Sequence, residues 1–388
     1  MEMKKYKLYE VADYVSSKVS TSQLSLQDYV TTDNLLQNKC GRECAENLPP
    51  QSAKVTAYKP GDILVSNIRP YLKKIWYANS EGGNSADVLT IRAKEDFEKL
   101  YIYYTLFQDS FFDYVSKGVK GSKMPRGDKN HIMNFEILVP ENLQVQKKIA
   151  STLSTLDQRI ENLRAQNRVL EQTAKTIYDY TFLQCAGHQT TYNKTLNRNI
   201  PADWEVKNIF DVFDIKYGFP FSTELFTEKI TDKPVVRIRD ILEHTTSAYT
   251  TEIVDEKYRL QEGDLVIGMD GNFHMNLWTD NISYLNQRCV RIRMNGNNVT
   301  SVQAKFALAP YIKAKEMTAK GSTVGHLSDK DLKGMFILVP DSKTLNNFNA
   351  QVLPILQKQL VNTKQIEALT TQRNTLLPLL MTGQVTIA

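Results

Sequence analysis

The strongest constraint on this chain is an internal repeat. The run Ile-Leu-Val-Pro occupies residues 137–140 and returns at 337–340, and Gly121-Ser122 returns as Gly321-Ser322, also 200 positions later. Upstream, residues 61–65 (Gly-Asp-Ile-Leu-Val) resemble residues 263–267 (Gly-Asp-Leu-Val-Ile). Three matches in the same order, at a nearly constant offset, predict two diverged copies of one unit of about 190 residues.

Each copy begins with a mixed globular part. Strand-like runs at 54–58, 62–66 and 88–92 have counterparts at 235–239, 264–268 and 289–294, and turn residues such as Pro60-Gly61 separate them. A helical stretch follows at 97–114 in the first copy and at 301–319 in the second. This order predicts an α+β fold, because a parallel sheet would need strict alternation of strands and helices.

Each copy ends in a long helix. Apolar side chains recur there at alternating steps of four and three residues, which is the heptad pattern of a coiled coil. No glycine or proline interrupts the first helix between Pro140 and Gly187. Each apolar seam needs a partner helix, and the simplest partner is the helix of the other copy. A purely structural helix or a homodimer zipper is the alternative. The predicted seam comprises Ile149, Leu153, Leu156, Ile160, Leu163, Asn167, Leu170, Ile177, Val352, Ile355, Ile366, Leu369 and Leu376.

Composition excludes several classes of protein. No stretch approaches the ~20 consecutive apolar residues of a membrane span. Four cysteines are too few for a disulfide scaffold, and Cys40 and Cys44 lack the further ligands of a zinc site, so we expect reduced thiols in a cytoplasm and no metal. The net charge of +5 is too small to prove a nucleic-acid partner. However, two globular units on matching helices suit spaced, symmetric half-sites, and duplex DNA offers these about 34–36 Å apart.

With these features the chain resembles the specificity (S) subunits of type I restriction-modification enzymes. The resemblance covers nearly the whole sequence. It is carried by the unit ends 135–140 and 336–340, by the helix openings (Gln146-Lys147-Lys148-Ile149-Ala150 and Phe348-Asn349) and by the close of the second helix at 376–383. Each string is weak alone, but their order and spacing together are specific.

The resemblance implies two target recognition domains in tandem, at 1–140 and, after a linker, within 187–340. Each would read one half of a split sequence in double-stranded DNA. The helices at 141–186 and 341–388 would form an antiparallel coiled coil that measures the spacer and docks two methyltransferase (M) subunits, and restriction (R) subunits would complete the complex. In that family the S subunit itself does no chemistry and needs no cofactor.

Catalytic motifs are missing, in agreement with that role. Leu48-Pro49-Pro50-Gln51 lacks the Asn or Asp and the aromatic residue that frame the prolines in an adenine methyltransferase. The run 118–123 has the wrong order and spacing for a phosphate-binding loop. The five histidines show no metal-ligand spacing. We therefore single out no catalytic or metal-binding residue.

The basic loop 117–129 is the first candidate for DNA contact, because neutralisation of phosphates supplies most of the affinity for DNA. Its counterpart in the second copy surrounds Gly321-Ser322. A solvated lysine loop is the alternative. The candidate residues are Lys117, Lys120, Ser122, Lys123, Arg126 and Lys129 in the first copy, and Lys320, Ser322 and His326 in the second.

A second candidate patch follows the strand at 62–66. Arginine on guanine and asparagine on adenine are favoured major-groove pairs. The patch comprises Asn67, Arg69, Tyr71, Lys73 and Lys74, and its counterpart offers Asn272 and His274. The two patches differ in chemistry, as two domains that read different half-sites should. For five arginines of the strand-like runs, a structural or salt-bridge role is an equal alternative to DNA contact: Arg237, Arg239, Arg288, Arg291 and Arg293.

Three polar residues, Asn167, Gln359 and Asn362, interrupt the apolar seams. A buried asparagine can fix the register of a coiled coil at a cost in stability. We therefore expect a DNA-specificity subunit whose helix register sets the spacer. A stand-alone DNA-binding protein, a spare recognition cassette and a nuclease with an unrecognised site are the alternatives.

Overall fold

The computed structural model describes residues 2–119, 125–185, 187–230, 233–319 and 325–387. The chain folds into two compact units, of which the first comprises residues 1–159 and 369–388 and the second residues 160–368. Each unit therefore contains one globular part together with portions of both long helices. The domain boundaries expected from the sequence stay a prediction.

In the first unit, a four-stranded antiparallel sheet forms the centre, in the order Ala12–Tyr14, Val88–Ala93, Ile63–Ser66 and Ile75–Tyr77. A second sheet has the order Lys18–Ser20, Lys54–Tyr58, Gly82–Asn84 and Tyr29–Val30. Met3–Lys7 pairs with Glu136–Pro140, so the Ile-Leu-Val-Pro run closes the unit against its first strand. The short helices are Leu8–Val11, Lys99–Leu106, Asp109–Lys117 and Lys129–Met133.

The second unit repeats the central sheet in the same order, with Phe213–Tyr217, Cys289–Met294, Leu265–Gly268 and Met275–Leu277. Glu205–Asn208 pairs with Phe336–Val339, again closing the unit with the repeated run. The short ladders join Thr190–Asn193 to Arg198–Pro201, Phe226–Thr227 to Tyr249–Thr250, and Val235–Val236 to Tyr284–Leu285. The helices are Ile209–Val212, Ser301–Ala319 and Asp329–Lys333. The predicted tandem α+β fold is confirmed.

Two elements differ from the sequence prediction. The stretch 97–114 is broken at Gln108, whose backbone is extended (φ −68°, ψ 148°), and the ammonium of Lys39 donates to the carbonyl of Phe107 just before the break (3.1 Å). The run 235–239 is a strand only at Val235–Val236. Asp240 accepts from the backbone and guanidinium of Arg237 and bends the chain into a turn at Ile238–Asp240.

The long helices are Leu143–Tyr178, which continues as a π-helical turn at Asp179–Leu183, and Ser342–Met381. In the second unit Asn167 contacts Thr363, and Glu171 contacts Gln359. Because the position on one helix rises as the position on the other falls, the helices pair antiparallel. All the predicted seam residues are buried or half-buried.

Each core joins its sheet to both long helices. In the first unit Ile91, Tyr101 and Phe111 share one apolar cluster with Leu153 and Leu380. In the second unit the corresponding cluster contains Phe182, Trp204, Ile292, Phe348 and Val352, among others. The heptad seams therefore bury their apolar side chains against the globular part as well as between the helices.

Candidate nucleic-acid interface

The two candidate segments of the first unit lie side by side, although some 60 residues separate them in the sequence. Ile68 and Arg126 form an isolated antiparallel β-bridge. The amide of Arg69 donates to the carbonyl of Pro125 (2.9 Å), and the amide of Gly127 donates to the carbonyl of Asn67 (3.0 Å). The residues after the Ile63–Ser66 strand and the end of the basic loop therefore form one surface, which we call the first reading surface (67–74 and 125–129).

The second unit builds the same junction at the equivalent place. Asp270 and His326 form the antiparallel bridge. The amide of Gly271 donates to the carbonyl of Gly325 (2.9 Å), and the amide of Leu327 donates to the carbonyl of Met269 (2.7 Å). We call this the second reading surface (269–274 and 325–327). The backbone frame is shared, so the two units differ in the side chains that the frame presents.

Those side chains differ in their chemistry. In the first unit the guanidinium of Arg126 lies 3.0 Å from Asp87. In the second unit Nδ1 of His326 lies 2.5 Å from Asp270, which also receives Arg288 at 3.2 Å. A carboxylate thus orients an exposed guanidinium in one unit and an exposed imidazole in the other. Asp87 was not predicted, whereas Arg288 is one of the arginines for which the sequence left DNA contact and a salt bridge open, and it forms a salt bridge with Asp270.

Five candidates of the first unit are exposed, namely Arg69, Tyr71, Lys117, Arg126 and Lys129. Arg69 is held at a positive φ of 49° and Lys73 at 50°, on either side of the turn Pro70–Leu72. Non-glycine residues rarely adopt this left-handed conformation, and it often marks a functional position. The turn places Tyr71, whose side chain is 58% exposed, at the surface.

Two candidates of the same patch are already engaged within the protein, and a third is buried. Asn67 is 8% exposed, and within the described part of the chain its buried side-chain oxygen accepts no hydrogen bond. The ammonium of Lys73 pairs with Asp109 at 2.9 Å. Lys74 donates to the carbonyl of Thr32 (2.5 Å), and burial lowers its pKa. These contacts favour a supporting role over direct contact with DNA.

In the second unit Asn272 is exposed and His274 is half-buried. The carbonyl of His274 accepts from the amide of Gly268 (2.8 Å), which ties this segment to its strand. Phe273 between them is 2% exposed and anchors the loop. The remaining candidates, Lys120, Ser122, Lys123, Lys320 and Ser322, lie outside the described residues.

The repeated Gly-Asp pair has a structural role. Gly61 and Gly263 adopt φ values of +93° and +88°, which favour glycine. The Asp62 carboxylate accepts two hydrogen bonds from Arg92, both 2.7 Å long, and Asp264 accepts two of the same length from Arg293. Arg291 pairs with Asp214, and Arg237 pairs with Asp240. These strand-region arginines therefore belong to the fold.

The polar residues of the seams meet in the second unit. The amide of Asn362, which is fully buried, donates to the side-chain oxygen of Asn167 (2.9 Å). Asn167 donates to the hydroxyl of Thr363 (3.2 Å), and Gln359 donates to the backbone carbonyl of Asn167 (3.3 Å). We call these four residues the polar layer. In this register the side chains of the layer hydrogen-bond across the two helices, although the buried side-chain oxygen of Asn362 accepts no hydrogen bond within the described part of the chain.

Within the described ranges, no group of three or more His, Cys, Asp and Glu residues is arranged to hold a metal ion. None of the helices in the described part of the chain has the length and apolar character needed to traverse a bilayer.

Comparison with known proteins identifies relatives along most of the chain. A sequence model described as the type I restriction modification DNA specificity domain matches residues 2–172 and again 201–372. The specificity subunit of the type I restriction enzyme MjaIX from Methanocaldococcus jannaschii is 23% identical over 91% of this chain and 82% of its own length. The specificity subunit of the Escherichia coli enzyme EcoBI is 30% identical over 37% of this chain and 30% of its own length.

A solved structure supports the same fold. The S subunit of a type I restriction-modification system from M. genitalium superposes with a TM-score of 0.57 at 16% identity, over 98% of this chain and 96% of that one. At 16% identity the structural similarity supports the fold alone. The family assignment rests on the two sequence-model matches.

Proposed function

Because this chain belongs to the type I restriction modification DNA specificity family, we propose that each of its units reads one half of a bipartite DNA target. The chain is a specificity subunit of a type I restriction-modification system. The first and second reading surfaces would each contact one half-site. The antiparallel helices would set the spacer between the halves through their register.

One observation supports assigning DNA recognition to particular residues of the two units. The same backbone junction recurs in both units, yet it presents Arg126 with Asp87 in one and His326 with Asp270 and Arg288 in the other. A shared frame with different hydrogen-bonding groups is what two readers of different sequences need, because base edges are distinguished by their donors and acceptors. The exposed basic residues around Arg126 would supply phosphate contacts.

The partners follow from the family role. We propose that the paired helices dock two methyltransferase subunits, that restriction subunits join the full complex, and that the chain itself contributes recognition without catalysis. The complex would act in the cytoplasm, where bacterial and archaeal DNA lies.

The test is co-expression with a methyltransferase subunit of the same system, followed by mapping of methylated adenines in host DNA. A split motif with two short halves and a fixed spacer is the expected result. A stable complex that methylates nothing would indicate a spare cassette, and DNA cleavage by the isolated chain would indicate a nuclease.

Two variants then assign the halves. Arg126→Ala should relax selectivity in one half-site and His326→Ala in the other, each by about 1–3 kcal/mol of discrimination, because each removes one side chain that can hydrogen-bond to a base edge. Binding to duplexes with single mismatches in either half measures this. Glu161→Gln, at an exposed position of the first long helix, is the control. Equal losses in both halves from either variant would contradict the assignment.

A further inference from the structure

A chain of contacts in the first unit leads from both long helices to the globular part. Asp157 of the first long helix accepts from Arg373 of the second (2.7 Å) and from the hydroxyl of Tyr104 (2.7 Å). The side chains of Arg373 and Asp157 are 13% and 25% exposed, and Tyr104 is 1% exposed. The carboxylate of Asp157 therefore fastens two long helices and the helix Lys99–Leu106 at one point.

Phe107 carries the chain of contacts further. The guanidinium of Arg373 lies 4.9 Å from the centroid of the Phe107 ring, and the ammonium of Lys39 lies at the same distance. Cations within about 6 Å of an aromatic centroid are attracted by the electrons of the ring. Lys39 also donates to the carbonyl of Phe107, where the helix ends. Phe107 thus lies between a helix cation and a loop cation.

Asp109 connects this cluster to the first reading surface. Its Oδ1 atom accepts from Lys39 (2.8 Å) and from Lys73 (2.9 Å). The amide of Lys39 also donates to the carbonyl of Lys73 (2.9 Å). Burial alone would raise the pKa of Asp109, but the hydrogen bonds from the two lysines outweigh it and lower the pKa. The carboxylate therefore remains charged and keeps both lysines in place.

Lys73 is consequently held at three points: its ammonium, its carbonyl and its left-handed backbone (φ +50°). We propose that Lys73 and Asp109 are positioning residues, which fix the segment 67–74 relative to the helix pair so that Arg69 and Tyr71 face the DNA in one orientation. In this role Lys73 neutralises no phosphate. The inference rests on the proposed function and deepens it for the first unit.

The second unit supplies a matched control. There one contact between the globular part and the first long helix is made by Lys305, which pairs with Glu171 (2.7 Å), while Glu171 also accepts from Gln359 (3.1 Å). Lys305→Met therefore loosens an equivalent attachment in the other unit.

The experiment uses the complex of the full chain with its methyltransferase subunit. A pool of randomised duplexes is enriched on the wild-type complex, and the selected duplex is the probe. Affinity is measured against salt concentration, and discrimination is measured with single mismatches in each half-site. The half-site read by the first unit is the one that Arg126→Ala relaxes. The variants are Lys73→Met, Asp109→Asn and Arg373→Met, with Lys117→Met as the exposed lysine control.

We expect Lys73→Met, Asp109→Asn and Arg373→Met to keep the wild-type salt dependence while mismatch discrimination in the first half-site falls roughly five- to tenfold, which is part of the range for one base contact. Lys117→Met should instead lower the salt slope by about one and keep discrimination, as the loss of a phosphate contact does. Lys305→Met should leave mismatch discrimination in the first half-site unchanged. Combining Lys73→Met with Arg373→Met should cost less than the sum of the single losses, because both act through one network.

A salt slope lowered by about one in Lys73→Met, with discrimination intact, would overturn the inference and make Lys73 a phosphate contact. Equal losses of mismatch discrimination in both half-sites would also overturn the inference. Strictly additive effects of Lys73→Met and Arg373→Met would do so too. If the wild-type complex enriches no sequence, the proposed function itself fails, which is a different result from these.

Discussion

At the scale of single residues, each unit contains a buried ion pair that recurs at the equivalent place in the other unit. The repeated Gly-Asp pair shows its aspartate in the sequence, but the arginine partner lies far along the chain. Asp62 and Asp264 are nearly fully buried, and each binds an arginine 30 or 29 positions further on. Each carboxylate also accepts from the backbone amide three residues before it, of Lys59 and of Gln261. The pair therefore fixes both the turn before a central strand and the neighbouring strand.

Asp264→Asn should destabilise the second unit by about 2–4 kcal/mol, because it leaves Arg293, whose side chain is 23% exposed, without its charge partner. Denaturant unfolding followed by circular dichroism measures the loss. Glu161→Gln breaks the exposed pair with Arg164 and should stay within about 0.5 kcal/mol. A shift no larger than that of the control would show that the buried pair does not stabilise the turn.

At the scale of elements, the long helices owe their pairing to the apolar seam and their register to the polar layer. An apolar seam between two helices would by itself allow sliding by a heptad, because equivalent apolar side chains would replace one another. The polar layer does not, since Asn362 finds the oxygen of Asn167 in one alignment only. Stability and register thus depend on different residues.

The double variant Asn167→Leu with Asn362→Leu should raise the free energy of unfolding by up to about 2 kcal/mol, because a buried and a half-buried amide give way to apolar contacts. The same variant should accept duplexes whose spacer differs from the preferred length, which the wild type rejects. Thermal unfolding and binding to a series of spacer lengths measure the two effects. The control is Asn162→Leu, at an exposed position of the first long helix, which should leave spacer selectivity unchanged. Unchanged spacer selectivity in the double variant would refute the register role of the polar layer.

Glu367, also on the second long helix, makes the stability of the second unit depend on pH. Burial and then the charge of Asp280 raise its pKa to about 7, against opposing effects of Thr279 and Lys364. A raised carboxyl pKa means that the folded state binds a proton which the unfolded state releases above pH 4.5. Its contribution to stability is therefore lost as the pH rises from 4.5 to about 7.

Glu367→Gln should match the wild type near pH 4 and exceed its stability at pH 8 by about 1–2 kcal/mol, a figure reduced for partial exposure to solvent. Unfolding of both proteins across this pH range gives the difference directly. A stability difference between the two proteins that is the same at pH 4 and pH 8 would mean that the pKa of Glu367 is not raised in the folded state.

At the scale of the whole molecule, the helices run antiparallel, so matched insertions can lengthen both without disturbing the seam. Seven residues after Leu163 and seven after Ile366 would add one heptad to each helix at the same level. One heptad lengthens a helix by about 10 Å, or about three base pairs of DNA. The methylated motif should therefore keep its two halves and gain about three base pairs of spacer.

Sequencing of methylated host DNA measures the new spacer. Seven residues inserted between the short strands Thr190–Asn193 and Arg198–Pro201 provide the control, since that hairpin lies outside the paired helices. An unchanged spacer in the double insertion would refute the helices as the measuring element.

Much of this architecture follows from the sequence by itself, because its signals are periodic or repeated. The heptad steps predict the long helices and their buried faces, and the Ile-Leu-Val-Pro runs mark where each globular part ends. The central strands at 62–66 and 88–92 fall within one residue of the observed ones. Period and repetition are properties of neighbouring residues, so they can be read without knowledge of the fold.

Only the tertiary structure decided what the candidate residues touch. The sequence around each residue does not show that Arg126 pairs with Ile68 in a β-bridge. It also does not show that Lys73 forms an ion pair with Asp109, or Arg293 with Asp264. The break at Gln108 likewise accompanies a contact with the distant Lys39. Such contacts join residues tens of positions apart, and they depend on the shape and charge of side chains that meet only after the chain has folded.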